Sequence, residues 1–130
     1  MSEKKTILVV DDNAAILAVV AHTLTAAGCR PLTASTALDA LALARRERPD
    51  LILMDVMMPG LEGSVASSLM HEIEELRDVP VLLMSALPEE ELLERAADAG
   101  AAGCLAKPFR KDRLIELVGR TLHAAALAAA

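Results

Sequence analysis

Four apolar runs, each ending abruptly in a polar residue, constrain this chain more than any other feature. Ile7-Leu8-Val9-Val10 runs into Asp11-Asp12, and Leu51-Ile52-Leu53-Met54 runs into Asp55. Val81-Leu82-Leu83-Met84 runs into Ser85, and Cys104-Leu105-Ala106 runs into Lys107. Strand-like and helix-like segments alternate five times along the chain, which predicts an α/β fold with a parallel sheet covered on both faces. The polar residues then all emerge at the carboxyl edge of the sheet, where open α/β sheets bind ligands.

The helical segments carry their own signals. The spacing of Ile16, Val20 and Leu24 predicts a first helix over about 13–27, stopped by Gly28. A short, weakly marked strand is expected over 31–34. Thr36 with Asp39 resembles a capping box for the next helix, which Pro49 terminates. Val65, Leu69, Ile73 and Leu76 share one face of a further helix. The helix after Ser85 opens at Pro88 and stops at Gly100, with Leu92, Leu93, Ala96 and Ala97 as a thin inner face. That makes it the expected mobile element. The last helix packs through Leu114, Ile115, Val118 and Leu122. The alanine-rich segment 123–130 reads equally as an extra helical turn, a frayed end or in part an expression scar.

At 130 residues the chain is expected to be one domain, long enough to bury roughly two-thirds of its unfolded surface. Its apolar share of 54% is far above that of a disordered segment. No apolar stretch approaches the ~20 residues of a membrane span, and no signal peptide is expected before the first strand. Cys29 and Cys104 sit in apolar segments without CxxC spacing, which fits a reducing, cytoplasmic setting without a disulfide framework or zinc site. The net charge of −6 argues against nucleic-acid binding. Arg45, Arg46 and Arg48 cluster, but a helix C-terminus accounts for them. Phe109 is the one aromatic residue, so no stacking platform for single strands is available.

Convergent strand ends would gather three carboxylates, a hydroxyl and an ammonium. Carboxylates ~5 Å apart repel by ~3 kcal/mol per pair at an effective dielectric of ~20. A hard divalent cation with oxygen ligands, Mg²⁺ above all, relieves that repulsion and leaves positions for phosphate oxygens. Asp11-Asp12 would hold the metal and the lone Asp55 would attack phosphorus. Lys107 would bring positive charge to the phosphoryl oxygens, and Ser85 a hydroxyl donor. Each residue alone has a plainer reading: Asp11-Asp12 as a helix cap, Asp55 as a turn former, Lys107 as a solvated side chain. The joint pattern of four strand ends, each with the needed chemistry, is what points to phosphoryl transfer.

From Ile7 to about Leu122 the chain resembles the receiver domain of bacterial two-component response regulators. The matching motifs are Val9-Val10-Asp11-Asp12-Asn13, Asp50 to Pro59 with Gly63, Met84-Ser85-Ala86 and Lys107-Pro108-Phe109. Their wording is closest to stand-alone or hybrid-kinase receivers. The resemblance implies a flavodoxin-like, doubly wound five-stranded parallel sheet in order 2-1-3-4-5, with 1–123 as the domain and 124–130 as a tail. It also implies phosphorylation of Asp55 by the phosphohistidine of a histidine kinase or histidine phosphotransfer protein. Metal ligation is implied for Asp12 and Asp55 directly, Asp11 through water and Met57 through its backbone carbonyl. Ala86 is implied to leave room for the phosphoryl group, and a cis peptide is implied between Lys107 and Pro108. Such a domain carries out its own phosphotransfer and slow dephosphorylation without being a turnover enzyme, and signals to a downstream protein by changing conformation. No output domain is expected after the last helix, and no membrane insertion.

The chain departs from that pattern at three places. Cys104 stands where many receivers carry a switch aromatic. Met57 and Leu87 are apolar where fast-cycling chemotaxis receivers have polar groups. Ala101-Ala102-Gly103 lacks the acidic pair of the winged-helix transcription-factor class. Haloacid-dehalogenase phosphatases fit less well, because their nucleophile follows the first strand in an Asp-x-Asp arrangement. His71-Glu72 begins a zinc-protease string that fails at Glu75. The remaining alternative is a protein-binding module of the same fold that works without phosphorylation.

Overall fold

Three of the four apolar runs become strands buried on both faces, which is why they do not alternate with polar residues, and the run 104–106 forms an edge strand. The structure, a computed structural model, describes residues 4–57 and 71–129. The strands are β1 (Thr6–Val10), β2 (Arg30–Ala34), β3 (Leu51–Asp55), β4 (Val81–Ser85) and β5 (Gly103–Ala106). They form one parallel sheet in the order β2-β1-β3-β4-β5. Helices α1 (Ala14–Ala26), α2 (Ala37–Glu47), α3 (Glu89–Asp98) and α4 (Lys111–Ala129) connect and cover it, with a 3₁₀ turn at Glu74–Leu76.

The twofold alternation of strand side chains divides the core into two layers. Ile7, Val9, Leu51, Leu53, Leu82, Met84 and Leu105 meet α1 and α4 through Val20, Leu24, Leu114, Leu117 and Val118. Leu8, Val10, Ile52, Met54, Val81 and Leu83 meet α2, the 3₁₀ turn and α3 through Ala40, Ala44, Leu76, Leu92 and Ala96.

Local signals set the helix ends. Asn13 caps α1, its Oδ1 accepting the N–H groups of Ala15 (2.9 Å) and Ile16 (3.2 Å), and Gly28 follows with φ +89°. Thr36 Oγ1 accepts the N–H of Asp39 (3.1 Å) at the start of α2. That helix ends on Arg48 in the left-handed conformation, one residue before Pro49. Pro88 occupies the position just before α3 rather than its first turn, and Gly100 follows with φ +68°.

Two expected packing faces are corrected, and part of a third expected helix is a 3₁₀ turn. On α3, Leu92, Ala96 and Ala99 point inward, while Leu93 is 54% exposed and Ala97 faces solvent. One step along a helix is 100°, so positions 93 and 97 lie outside the stripe set by 92, 96 and 99. On α4 the stripe is Leu114, Leu117, Val118 and Thr121, with Leu122 at its margin and Ile115 turned outward. Leu76 is buried from a 3₁₀ turn, with Ile73 packed beside it. Val65 and Leu69 of the expected helix lie outside the described residues. The segment after position 123 continues α4 as helix to Ala129.

Candidate functional site

Parallel pairing brings the strand ends together. Val10 of β1 pairs with Met54 of β3, so the next residues, Asp11 and Asp55, stand side by side. Ser85 pairs with Ala106, the residue before Lys107, and the Lys107 N–H donates to the Ser85 carbonyl at 2.7 Å. The alternation that places Val9, Leu53 and Leu105 in one core layer carries Asp11, Asp55 and Lys107 onward on that same side.

The side chains meet there. Lys107 Nζ donates to Asp11 Oδ2 at 2.6 Å and to Asp55 Oδ2 at 3.3 Å. Carboxylate oxygens of Asp11, Asp12 and Asp55 lie within 4.8 Å of one another. Asp11 is fully buried and Asp55 5% exposed, whereas Asp12 is exposed to solvent. The remaining oxygens are held by the backbone: Asp11 Oδ1 accepts the Asn13 N–H (2.9 Å) and Asp55 Oδ1 the Met57 N–H (3.0 Å). Since Asn13 caps α1, the aspartate pair is not needed for that purpose. Asp55 and Lys107 also border a cleft of about 320 Å³ whose other walls are Met57, Ser85, Ala86, Leu87 and Pro88. Ser85 Oγ accepts the Leu87 N–H (3.1 Å), which leaves its own proton free to donate.

Burial, above all, raises the Asp55 carboxyl above its ordinary value, and the charge of Asp11 adds to this. The Met57 N–H and the Lys107 ammonium work against the rise without cancelling it. Burial alone would lower Lys107, but its hydrogen bond to Asp11 and the charges of Asp55 and Asp11 raise it instead. Lys107 therefore stays charged, and the three acids remain one positive charge richer than bare carboxylates. They still exceed the available cation, so a divalent ion with oxygen ligands fits the donor set.

Every expected site residue within the described part of the chain is in this neighbourhood. Met58, Pro59 and Gly63 of the third-strand motif lie outside the described residues. The Lys107–Pro108 peptide is cis. Sequence reasoning missed two features. The direct Asp11–Lys107 pair joins residues 96 positions apart, which no local spacing signals. Pro88 also lines the cleft, although it reads in sequence only as a helix opener. Cys104 stands away from the carboxylates, beside a second cavity of about 380 Å³ bordered by Leu92, Phe109, Glu89 and Arg113. Burial, then the charge of Glu89, raises its thiol pKa against the opposing Arg113.

A family model of the response regulator receiver domain matches residues 7–119, and the chain belongs to that family. Among curated relatives, the polar-differentiation response regulator DivK of Brucella anthropi is 32% identical over 114 residues, covering 88% of this chain and 93% of DivK. The chemotaxis response regulator CheY4 of Vibrio cholerae superposes with a TM-score of 0.86 at 31% identity, over 92% of this chain and 99% of CheY4. NtrX of Brucella abortus gives 0.90 at 31% identity, over 98% of this chain but only 29% of that longer protein. The flavodoxin-like sheet order is the one expected from the sequence. Among the described residues no helix is long and apolar enough to cross a membrane.

Proposed function

We propose that Asp55 is the phosphoacceptor of a Mg²⁺-dependent receiver whose domain spans 1–123, with 124–130 as an appended tail. The observation that carries this is a nearly buried Asp55 carboxylate bordered at once by two further acids, a lysine ammonium and an open cleft. The donor is the phosphohistidine of a histidine kinase or histidine phosphotransfer protein. An Asp55 oxygen forms a bond to phosphorus as the phosphorus–imidazole nitrogen bond breaks, and the imidazole leaves with the bonding pair.

The chain's own residues position and neutralise. The Met57 N–H fixes the rotation of the Asp55 carboxylate, and Asp11 holds the Lys107 ammonium beside the acceptor. Ser85 Oγ offers its proton to a phosphoryl oxygen, and Ala86 keeps that wall of the cleft small. Asp12, Asp55 and the Met57 carbonyl would hold Mg²⁺, with Asp11 acting through water. Bound there, the ion supplies charge neutralisation for the phosphoryl oxygens. Dephosphorylation is slow and self-catalysed, and the protein acts in the cytoplasm by contact with a downstream protein rather than with nucleic acid.

Acetyl phosphate with Mg²⁺, followed by intact mass, tests the reading. The parent should gain about 80 Da, the mass of one phosphoryl group, and Asp55→Ala should not. Undiminished labelling of Asp55→Ala would sink the assignment. An unlabelled parent that still binds partners would favour a phosphorylation-independent module.

A further inference from the structure

The cleft over Asp55 carries a reactive group that phosphoryl transfer does not use, the thioether of Met57. Met57 lines the cleft with Asp55, Leu87 and Lys107, and it is 54% exposed. Met54 and Met84 are fully buried in the two core layers, so among the described methionines only Met57 is open to a dissolved oxidant. Thioether oxidation needs access and no deprotonation. Both cysteines are half-buried, and burial raises their thiol pKa values, which keeps their reactive thiolate scarce.

We infer that Met57 is an oxidation site, and that peroxide-class oxidants acting on it shorten the life of the phosphorylated state. The inference rests on Asp55 as the phosphoacceptor. The sulfur lone pair attacks one peroxide oxygen, a sulfur–oxygen bond forms and the oxygen–oxygen bond breaks. The departing hydroxide takes a proton and leaves as water. Sulfur is oxidised by two electrons and the peroxide is reduced by two.

The consequence follows from what lines the cleft. Among the described residues lining the cleft, Met57, Ala86, Leu87 and Pro88 offer no acceptor to a water approaching phosphorus, and the Ser85 hydroxyl oxygen already accepts the Leu87 N–H. A sulfoxide oxygen is a strong hydrogen-bond acceptor at that same place and can hold and orient such a water. Because Met57 is exposed, the added polarity falls on the cleft rather than on the core, and the fold is retained.

The test uses the full chain carrying Cys29→Ser and Cys104→Ser, so that no thiol responds. Protein labelled by acetyl phosphate is freed of donor, treated with hydrogen peroxide or left untreated, and its phosphoryl mass is followed in time. Tandem mass spectrometry separates oxygen on Met57 from oxygen on its neighbour Met58. Peroxide should place oxygen on Met57 and speed phosphate loss about threefold to tenfold, a modest part of what a charged general base supplies. Methionine sulfoxide reductase should restore the slow decay. Met57→Leu should decay at one rate with and without peroxide, and Met57→Gln should decay fast without it. Equal decay of oxidised and reduced protein, or equal sensitivity of Met57→Leu to peroxide, would overturn the inference and leave the phosphoacceptor intact. A chain that never takes up label would overturn both.

Discussion

Burial and the neighbouring Asp11 raise the Asp55 carboxyl above its ordinary value, outweighing the Met57 N–H and the Lys107 ammonium. Its folded pKa lies above its unfolded value, so between the two the native state binds the extra proton and stability falls as pH rises. Above that window the ionised acid burdens the fold. Asp55→Asn should therefore melt at a higher temperature than the parent at neutral pH without metal, and the gap should close as pH falls through the carboxylate range. Thermal melts in EDTA across pH check this, and a variant less stable than the parent at neutral pH contradicts it. Arg48 is a second residue under local strain, holding φ +47° and ψ +68° at the end of α2. Arg48→Gly removes the clash of its Cβ and should stabilise the fold by about 1 kcal/mol in chemical denaturation. Cleft polarity gives a third expectation: Met57→Asn with Leu87→Glu should speed loss of phosphate about tenfold, by offering acceptors to the attacking water. A double variant that decays no faster than the parent would show that the apolar walls do not shield the phosphoryl group.

Like α2, whose buried residues are Ala40 and Ala44, α3 is held by a thin stripe. Its inward stripe is Leu92, Ala96 and Ala99, and two of these are alanines with little area to bury. It opens directly after the loop that follows Ser85, a buried residue whose hydroxyl accepts the Leu87 N–H. On the proposed reading, a turn of Ser85 toward a phosphoryl oxygen would break that hydrogen bond and free the start of α3 to shift. Cys104 is too small to carry the change outward as an aromatic ring would, and it borders a cavity instead. Hydrogen exchange with and without beryllofluoride and Mg²⁺ should change over residues 86–100 more than over α4. Changes confined to α4 would falsify this route. The helices also show where the sequence was legible. Existence and ends followed from Gly28, Thr36, Pro49, Pro88 and Gly100, because caps and stops are local chemistry. Inner faces were less legible: Leu93 and Ile115 are as apolar as Leu92 and Leu114, so identity alone could not say which side of the helix met the sheet. Depth in the fold decided it.

At the scale of the molecule, the sheet turns four separated sequence endings into one charged site, with an apolar core layer on each of its faces. The strand order was legible only through the resemblance to receiver domains, whereas the gathering of Asp11, Asp12, Asp55, Ser85 and Lys107 was legible because parallel strands present their ends at one edge. The Asp11–Lys107 pair was not, since it depends on β1 and β5, with two strands between them, carrying the side chains just past their ends on one face. Three acids and one lysine leave the site with excess negative charge at neutral pH, and a cation that binds only the folded arrangement must stabilise the whole domain. At a hundredfold excess of Mg²⁺ over its dissociation constant the gain is about 2.7 kcal/mol. For a chain of this length that is a rise of roughly 8–13 °C in Tm. Asp12→Ala should melt no lower than the parent without metal, because an exposed, repelled carboxylate contributes nothing favourable there. The same substitution should remove most of the Mg²⁺ response, since it takes away a ligand rather than a screened surface charge. Sodium chloride at matched ionic strength separates binding from screening. If salt reproduces the shift, or Asp12→Ala keeps it in full, the acidic cluster does not hold the ion.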